Sequence, residues 1–145
     1  MASPTASDTD DLSMDDLSRL IARHDIGPKR LGELGERIAE RWLEAQGHTI
    51  IGRNWHSRYG ELDLIVMDRQ RTLLFVEVKT RRSTRFGIPQ EAVTARKRAG
   101  LRRTGVQWLL DPGRRIPHRG VRFDVISILA PLGQPPHIAQ IKEAF

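Results

Sequence analysis

The chain has 145 residues, no cysteine, a net charge of +6 and a pI of about 10.7. That length supports one domain with a sizeable core, and the missing cysteines exclude disulfides, thiolate metal sites and a cysteine nucleophile. No apolar run is long enough to cross a bilayer, and the opening MASPTASDTDDLSMDD has neither the basic start nor the apolar stretch of a secretory signal, so a cytoplasmic protein away from membranes is expected.

Charge is unevenly spread. Residues 1–30 hold six acidic and four basic side chains, net −2, so the remaining 115 residues carry +8. A basic body of this kind favours a polyanion, and nucleic acid is the usual one. Residues 1–14 lack periodic apolar positions and read as disordered. Asp15 to His24 can form a short helix with Leu17, Leu20 and Ile21 on one side, and Gly27-Pro28 breaks it. Residues 1–30 are therefore expected to be an acidic, flexible extension to a domain spanning 31–145.

Leu31 to Gln46 is a helix, with Leu31, Leu34, Ile38, Trp42 and Ala45 at helical spacing and Gly47 as its stop. Gly32 and Gly35 weaken its first turns but let another backbone come close. Glu36 lies near the edge of the apolar stripe. His48 to Trp55 reads as a strand. A basic, aromatic loop follows, from Arg53 to Gly60, and contains Trp55, Arg58 and Tyr59. Both aromatics could stack on unpaired bases, whereas Trp42 and Trp108 are expected in the core.

Two strands come next, Glu61 to Val66 and Leu73 to Lys79. Strand side chains alternate, so Glu61, Asp63 and Ile65 share one face, and Leu73, Phe75, Glu77 and Lys79 share another. A five-residue turn over Asp68 to Thr72 sets Asp63 opposite Glu77 and Glu61 opposite Lys79. A two-residue turn at Arg69-Gln70 would instead put Asp63 and Glu77 on different faces. Charges within strong strands are costly to bury unless they are paired or bind a metal.

Thr80 to Ile88 is a loop carrying Arg81, Arg82 and Arg85. A helix follows from Pro89 to about Leu110. It has a broken apolar face through Ala92, Val93, Ala99, Leu101, Gly105, Trp108 and Leu109, and a basic face of Arg96, Lys97, Arg98, Arg102 and Arg103. Val121 to Leu129 is a strand in which Asp124 reads as the structural partner of an arginine. His137 to Lys142 is a last edge strand. Helix, three strands, helix and two strands predict an α/β (α+β) fold, a mixed sheet of about five strands flanked by helices. The connection from Lys79 to Val121 is long enough for a parallel crossover.

Two carboxylates on neighbouring strands suit a hard divalent ion, Mg²⁺ or Mn²⁺, which takes oxygen ligands. Asp63 and Glu77 would be the ligands, with the Val78 carbonyl a further candidate and Glu36 an outer one. Lys79 would meet the attacking water or the phosphate. Arg58, Arg81, Arg82, Arg85, Lys97 and Arg102 are candidate phosphate contacts. The bland alternative is a structural ion-pair cluster of Glu61, Lys79 and Asp63.

Asp63 followed by Glu77-Val78-Lys79 resembles the PD-(D/E)XK signature of restriction-endonuclease-like nucleases, with Leu62 where the proline usually stands. Glu36 resembles the extra acid of archaeal Holliday-junction resolvases. More narrowly, the chain resembles the uncharacterised bacterial YraN family. It does so through Leu31-Gly32-x-x-Gly35-Glu36, Asn54-Trp55 with Gly60-Glu61-Leu62-Asp63-Leu64-Ile65, Phe75-Val76-Glu77-Val78-Lys79-Thr80-Arg81, Phe86-Gly87-x-Pro89-x-Glu91-Ala92-Val93 and Arg122-Phe123-Asp124-Val125. These segments cover roughly residues 31–141 in order. The resemblance implies a restriction-endonuclease-like fold and a metal-dependent nuclease acting on DNA, branched or single-stranded, with a homodimer as the accompanying expectation. The competing expectation is a non-catalytic module of the same fold that binds nucleic acid or docks a partner. RNA ranks behind DNA, on the Gly32-x-x-Gly35 spacing alone.

Overall fold

The structure is a computed structural model and describes residues 9–83, 95–111, 113 and 115–144. Its described elements are helices α1 (Met14–Ile21), α2 (Pro28–Ala45) and α3 (Ala95–Leu110), and strands β1 (Thr49–Ser57), β2 (Gly60–Met67), β3 (Thr72–Arg81), β4 (Gly120–Leu129) and β5 (His137–Ile141). The strands form one sheet in the order β1-β2-β3-β4-β5. Neighbours are antiparallel except β3 and β4, which run parallel. The sheet is therefore mixed and flanked by helices, and β5 lies at an edge.

Period-two alternation along the strands divides the core in two. Leu64, Val66, Leu74, Val76, Val78, Ile126 and Ile128 pack with Leu34, Ile38 and Leu43 of α2. Ile65, Met67, Leu73, Phe75 and Val125 pack with Leu101 and Trp108 of α3. Each helix layer thus covers one face of β2 and β3. Phe75 meets Trp108 edge-on, with ring centroids 5.8 Å apart.

Helix α1 does not stand apart from the domain. Leu17 and Ile21 are fully buried in the α2-side core, and the Ser13 side chain caps the helix by accepting from the Asp16 N–H at 3.1 Å. The acidic composition of residues 1–30 hides this, because Asp15 and Asp16 stand in the first turn of α1 while two apolar side chains one turn apart point inward. Gly27-Pro28, expected only as a break, instead opens α2, with Pro28 in its first turn. The other end of α2 closes as expected at Gly47, whose φ is +87°. The Gly47 N–H donates to the Glu44 carbonyl and the His48 N–H to that of Leu43, which is a Schellman closure.

The β2–β3 turn sets the register on which the site depends. Asp68 Oδ1 accepts from the N–H groups of Gln70 and Thr72, both at 2.8 Å, and Arg71 takes a left-handed φ of +67°. Met67 pairs with Leu73 and Leu64 with Val76, the register of the five-residue turn. Carried one residue past the last pair, that register brings Asp63 and Glu77 to the side of α3, where both line one cleft.

Gly35 fixes how closely α2 approaches the sheet. A Cβ there would lie 1.9 Å from Thr80 Oγ1 and 2.9 Å from Thr80 Cβ. Rotating Thr80 would not relieve the second clash, so backbone must shift. Helix propensity favours alanine over glycine by about 1 kcal/mol, but overpacking costs about 1–3 kcal/mol or more. Gly35→Ala is expected to lose about 2 kcal/mol in urea unfolding. Gly32→Ala, with open space around the new Cβ, should instead gain up to about 1 kcal/mol. Equal effects from the two substitutions would contradict the packing argument.

Candidate active site

The β2–β3 ladder stops at Leu64 and Val76, although both strands continue. β2 stays paired with β1 as far as Gly60. Beyond the last β2–β3 pair, the Asp63 side chain replaces backbone pairing, its Oδ2 accepting from the Val78 N–H at 2.8 Å. A cleft of about 460 Å³ lies here, lined by Tyr59, Gly60, Glu61, Asp63 and Glu77 and, from α3, Arg96, Lys97, Gly100 and Leu101.

Asp63 and Glu77 come together in this cleft. Burial pushes the Asp63 carboxyl up to about 8, the Glu77 charge adds to the shift, and the Val78 N–H opposes it. Glu77 Oε1 receives two ammonium groups, Lys79 Nζ at 3.1 Å and Lys97 Nζ at 3.0 Å. Burial lowers the pKa of Lys79, and contact with Lys97 lowers it further. Burial also opposes the charge on Lys97, but its contact with Lys79 and the charges of Glu77 and Asp63 outweigh that and raise its pKa. Two carboxylates from neighbouring strands in one cleft offer the oxygen donors a hard divalent ion takes. Asp63 and Glu77 fit such an ion.

Glu61 does not pair with Lys79. The ladder ends before those positions could meet, and Lys79 turns to Glu77 on its own strand instead. Glu61 lies 3.6 Å from His56 across the β1–β2 pair. Glu36 is carried by α2, the layer on the opposite face from α3, and lines a separate cleft with Asp10, Glu33, Arg37, Arg53 and Asn54. Burial pushes Glu36 up to about 7 against the pull of Arg37, and the charges of Glu61, Glu40 and Glu77 add to the rise. It therefore senses the site electrically. Among the described residues, however, no three acidic or histidine side chains converge as a metal-holding group.

The predicted phosphate contacts divide sharply. Arg58 and Arg102 are exposed, and Arg58 Nη2 donates to the Tyr59 hydroxyl at 2.6 Å. Its guanidinium lies 4.9 Å from the Tyr59 ring centroid, and that of Arg103 lies 5.8 Å away. Arg81 ends β3 on the face of Glu77 and Lys79. Arg82 is a structural residue. Its guanidinium donates to the Ile21 carbonyl, to that of Ala130 at 3.2 Å and to that of Arg23 at 2.9 Å, tying the end of α1 to the end of β4. Arg85 lies outside the described residues. Trp55 is half-buried against the α3-side core, so of the two aromatics only Tyr59 lines the cleft. Asp124 is fully buried and accepts from both Arg122 Nε and Nη2 at 2.9 Å, the structural pairing expected. Sequence reasoning missed Lys97 as a member of the carboxylate cluster and Arg96 as a wall of the cleft. The dense basic run on α3 was the available signal.

The carboxyls make stability depend on pH. The folded-state pKa values of Asp63 and Glu36 lie above the unfolded carboxylate range of about 4. The folded chain therefore retains protons that the unfolded chain releases, and stability falls as pH rises from about 4 through about 8. Without divalent ions, the melting temperature should drop more steeply over this window in wild type than in Asp63→Asn. Parallel melting curves at constant ionic strength would contradict the assignment.

A splayed hairpin in a mixed sheet, with facing acids on its floor and cations on its rim, defines an α/β domain with a built polar cleft. The chain belongs to the uncharacterised protein family UPF0102, whose model matches residues 35–128. It is 48% identical over 120 residues to a UPF0102 protein of Bifidobacterium longum subsp. infantis, covering 83% of this chain and 96% of the relative. A UPF0102 protein of Nocardia farcinica is 48% identical over 121 residues, 83% of this chain and 93% of the relative. One from Syntrophomonas wolfei subsp. wolfei is 47% identical over 106 residues, 73% and 90% of the two chains. This is the family to which the segment order pointed. No helix among the described residues is long and apolar enough to cross a membrane.

Proposed function

We propose that the protein is a metal-dependent nuclease that hydrolyses phosphodiester bonds in DNA, with branched or single-stranded DNA as substrate. The observation carrying this reading is the facing Asp63–Glu77 pair with Lys79 and Lys97 on one Glu77 oxygen, at the base of a cleft walled by α3. Asp63 and Glu77 would hold Mg²⁺ or Mn²⁺. When bound, such an ion supplies Lewis-acid polarisation of the phosphoryl oxygen and a more acidic water. Lys79, fixed on the strand beside Glu77, stabilises charge that develops on the phosphate or orients the incoming water. Arg58, Arg96 and Arg102 would draw in the backbone, adding salt-dependent affinity without reading bases.

Purified full-length protein incubated with branched, flapped and linear DNA, with and without Mg²⁺, tests the reading. Metal-dependent cleavage of at least one substrate is expected, and no cleavage of any of them would sink it. A second reading, a DNA-binding module without turnover, draws on the double ion pair at Glu77, which already satisfies that oxygen. Salt-sensitive DNA binding without cleavage would favour it. Competition with RNA of equal length separates DNA from RNA as the ligand.

A further inference from the structure

Four charged groups meet at the cleft floor, and they are not equivalent. Lys79 is two residues from Glu77 on the same strand, so its distance from that carboxylate is set by the backbone. Lys97 arrives from α3, across the cleft, and lies on the cleft lining beside Asp63 and Glu77. Its side chain is 39% exposed against 27% for Lys79. Both ammoniums stand on the same Glu77 oxygen, at 3.0 and 3.1 Å.

Charge balance separates the two further. With both acids ionised, two carboxylates and two ammoniums sum to zero. A divalent ion added between Asp63 and Glu77 would leave the cluster at +2 within a few ångströms, a strongly repulsive arrangement at low effective dielectric. One ammonium must then leave the carboxylate or meet an incoming anion. The strand-borne lysine is the less exposed of the two. The helix-borne one sits on a long, flexible stem at the water-facing side.

We infer that Lys97 is the exchangeable counterion of Glu77: it occupies the cation position on the carboxylate in the metal-free protein, gives that position up to a divalent ion, and turns its ammonium to a substrate phosphate. The inference rests on the nuclease reading for its substrate, but the exchange itself concerns only this chain and a metal ion. Lys97 thereby becomes a phosphate-binding residue whose availability depends on metal, linking metal uptake to substrate uptake.

The test titrates Mn²⁺ into the full chain by calorimetry, comparing wild type with Lys97→Gln, which keeps reach and polarity but loses the charge. Removing the competing ammonium should tighten Mn²⁺ binding roughly three- to tenfold. The gain should vanish when Asp63→Asn is added. Unchanged or weaker Mn²⁺ binding in Lys97→Gln overturns the exchange, as does a gain that survives Asp63→Asn. Absence of Mn²⁺ binding in both proteins overturns it too. Thermal melts of each variant confirm that the fold is retained.

The second arm measures binding of a single-stranded oligonucleotide against salt, with the metal-bound protein. Lys97→Gln should reduce the logarithmic salt slope by about 0.7, one phosphate contact on a single strand. Equal slopes, or no binding by either protein, overturn the transfer to phosphate. A wild type that cuts DNA while Lys97→Gln leaves Mn²⁺ affinity unchanged sinks the inference and spares the nuclease reading. The reverse, a Mn²⁺ gain in a protein that neither binds nor cuts DNA, sinks the nuclease reading and spares the exchange.

Discussion

Asp63→Asn is expected to leave a folded protein that still binds DNA but cleaves it about a thousandfold more slowly, a loss of about 4 kcal/mol of transition-state stabilisation. The asparagine side-chain oxygen can still accept from the Val78 N–H, the contact that replaces strand pairing where the hairpin splays. Its amide can donate to Glu77. Only the negative charge needed to hold a metal is lost, so lost cleavage cannot be attributed to a collapsed hairpin. Glu77→Gln is a less clean probe, because it also strands two ammonium groups. A gel assay of cut product, run alongside a thermal melt and an affinity measurement, checks the expectation. An Asp63→Asn protein that cuts as fast as wild type would end the catalytic assignment.

The second large effect concerns stability. Glu40→Ala should cost about 3 kcal/mol, the scale for breaking a buried ion pair from one side. Glu40 is fully buried, and Arg53 Nε donates to its Oε1 at 2.6 Å. Arg37 Nη1 lies against its other oxygen. Burial raises the Glu40 pKa while both arginines oppose the shift, so part of their attraction only offsets desolvation. Removing the carboxylate leaves the guanidinium of Arg37, with 8% of its side chain exposed, as a buried cation without its main partner. Asp10 is 3.7 Å away, too distant and too exposed to replace Glu40. Arg53 is 39% exposed, so its removal opens a path for water, but it also leaves the buried Glu40 Oε1 without its donor; with Arg37 still on the other oxygen, Arg53→Ala should lose less, about 1–2 kcal/mol. Urea unfolding of the two variants measures the contrast. Similar losses would show that the cluster is solvated and of little energetic weight.

The local geometry of the candidate site was legible in the sequence, and its assembly across layers was not. Alternation put Asp63 and Ile65 on one face and Phe75, Glu77 and Lys79 on another. The odd-length turn from Asp68 to Thr72 brought those faces together, because register follows from chain-local rules. The stop of α2 at Gly47 was legible for the same reason. What was not legible depended on contacts distant in sequence. Periodicity placed Glu36 at the edge of a helical stripe but could not say that α2 covers the other side of the sheet. It showed Lys97 as one of five cations on a helix, and only the docking of α3 distinguishes it. Arg82 looked like its loop neighbours until its carbonyl partners on α1 and beyond β4 were known. Leu17 and Ile21 were recognised as one side of a short helix, but the aspartates around them outweighed that signal.

The turn between β2 and β3 has a consequence for how this chain can vary. Insertions at surface turns are normally the most forgiving changes a domain can accept. Here the turn acts as a parity bit. With odd length it delivers both acids to the α3 layer, while one residue more or fewer would send one acid to the opposite layer with no change in the acids themselves. The residue at 71 must still accept a left-handed φ, and a change of one in the turn's length moves an acid to the other layer unless a bulge absorbs it.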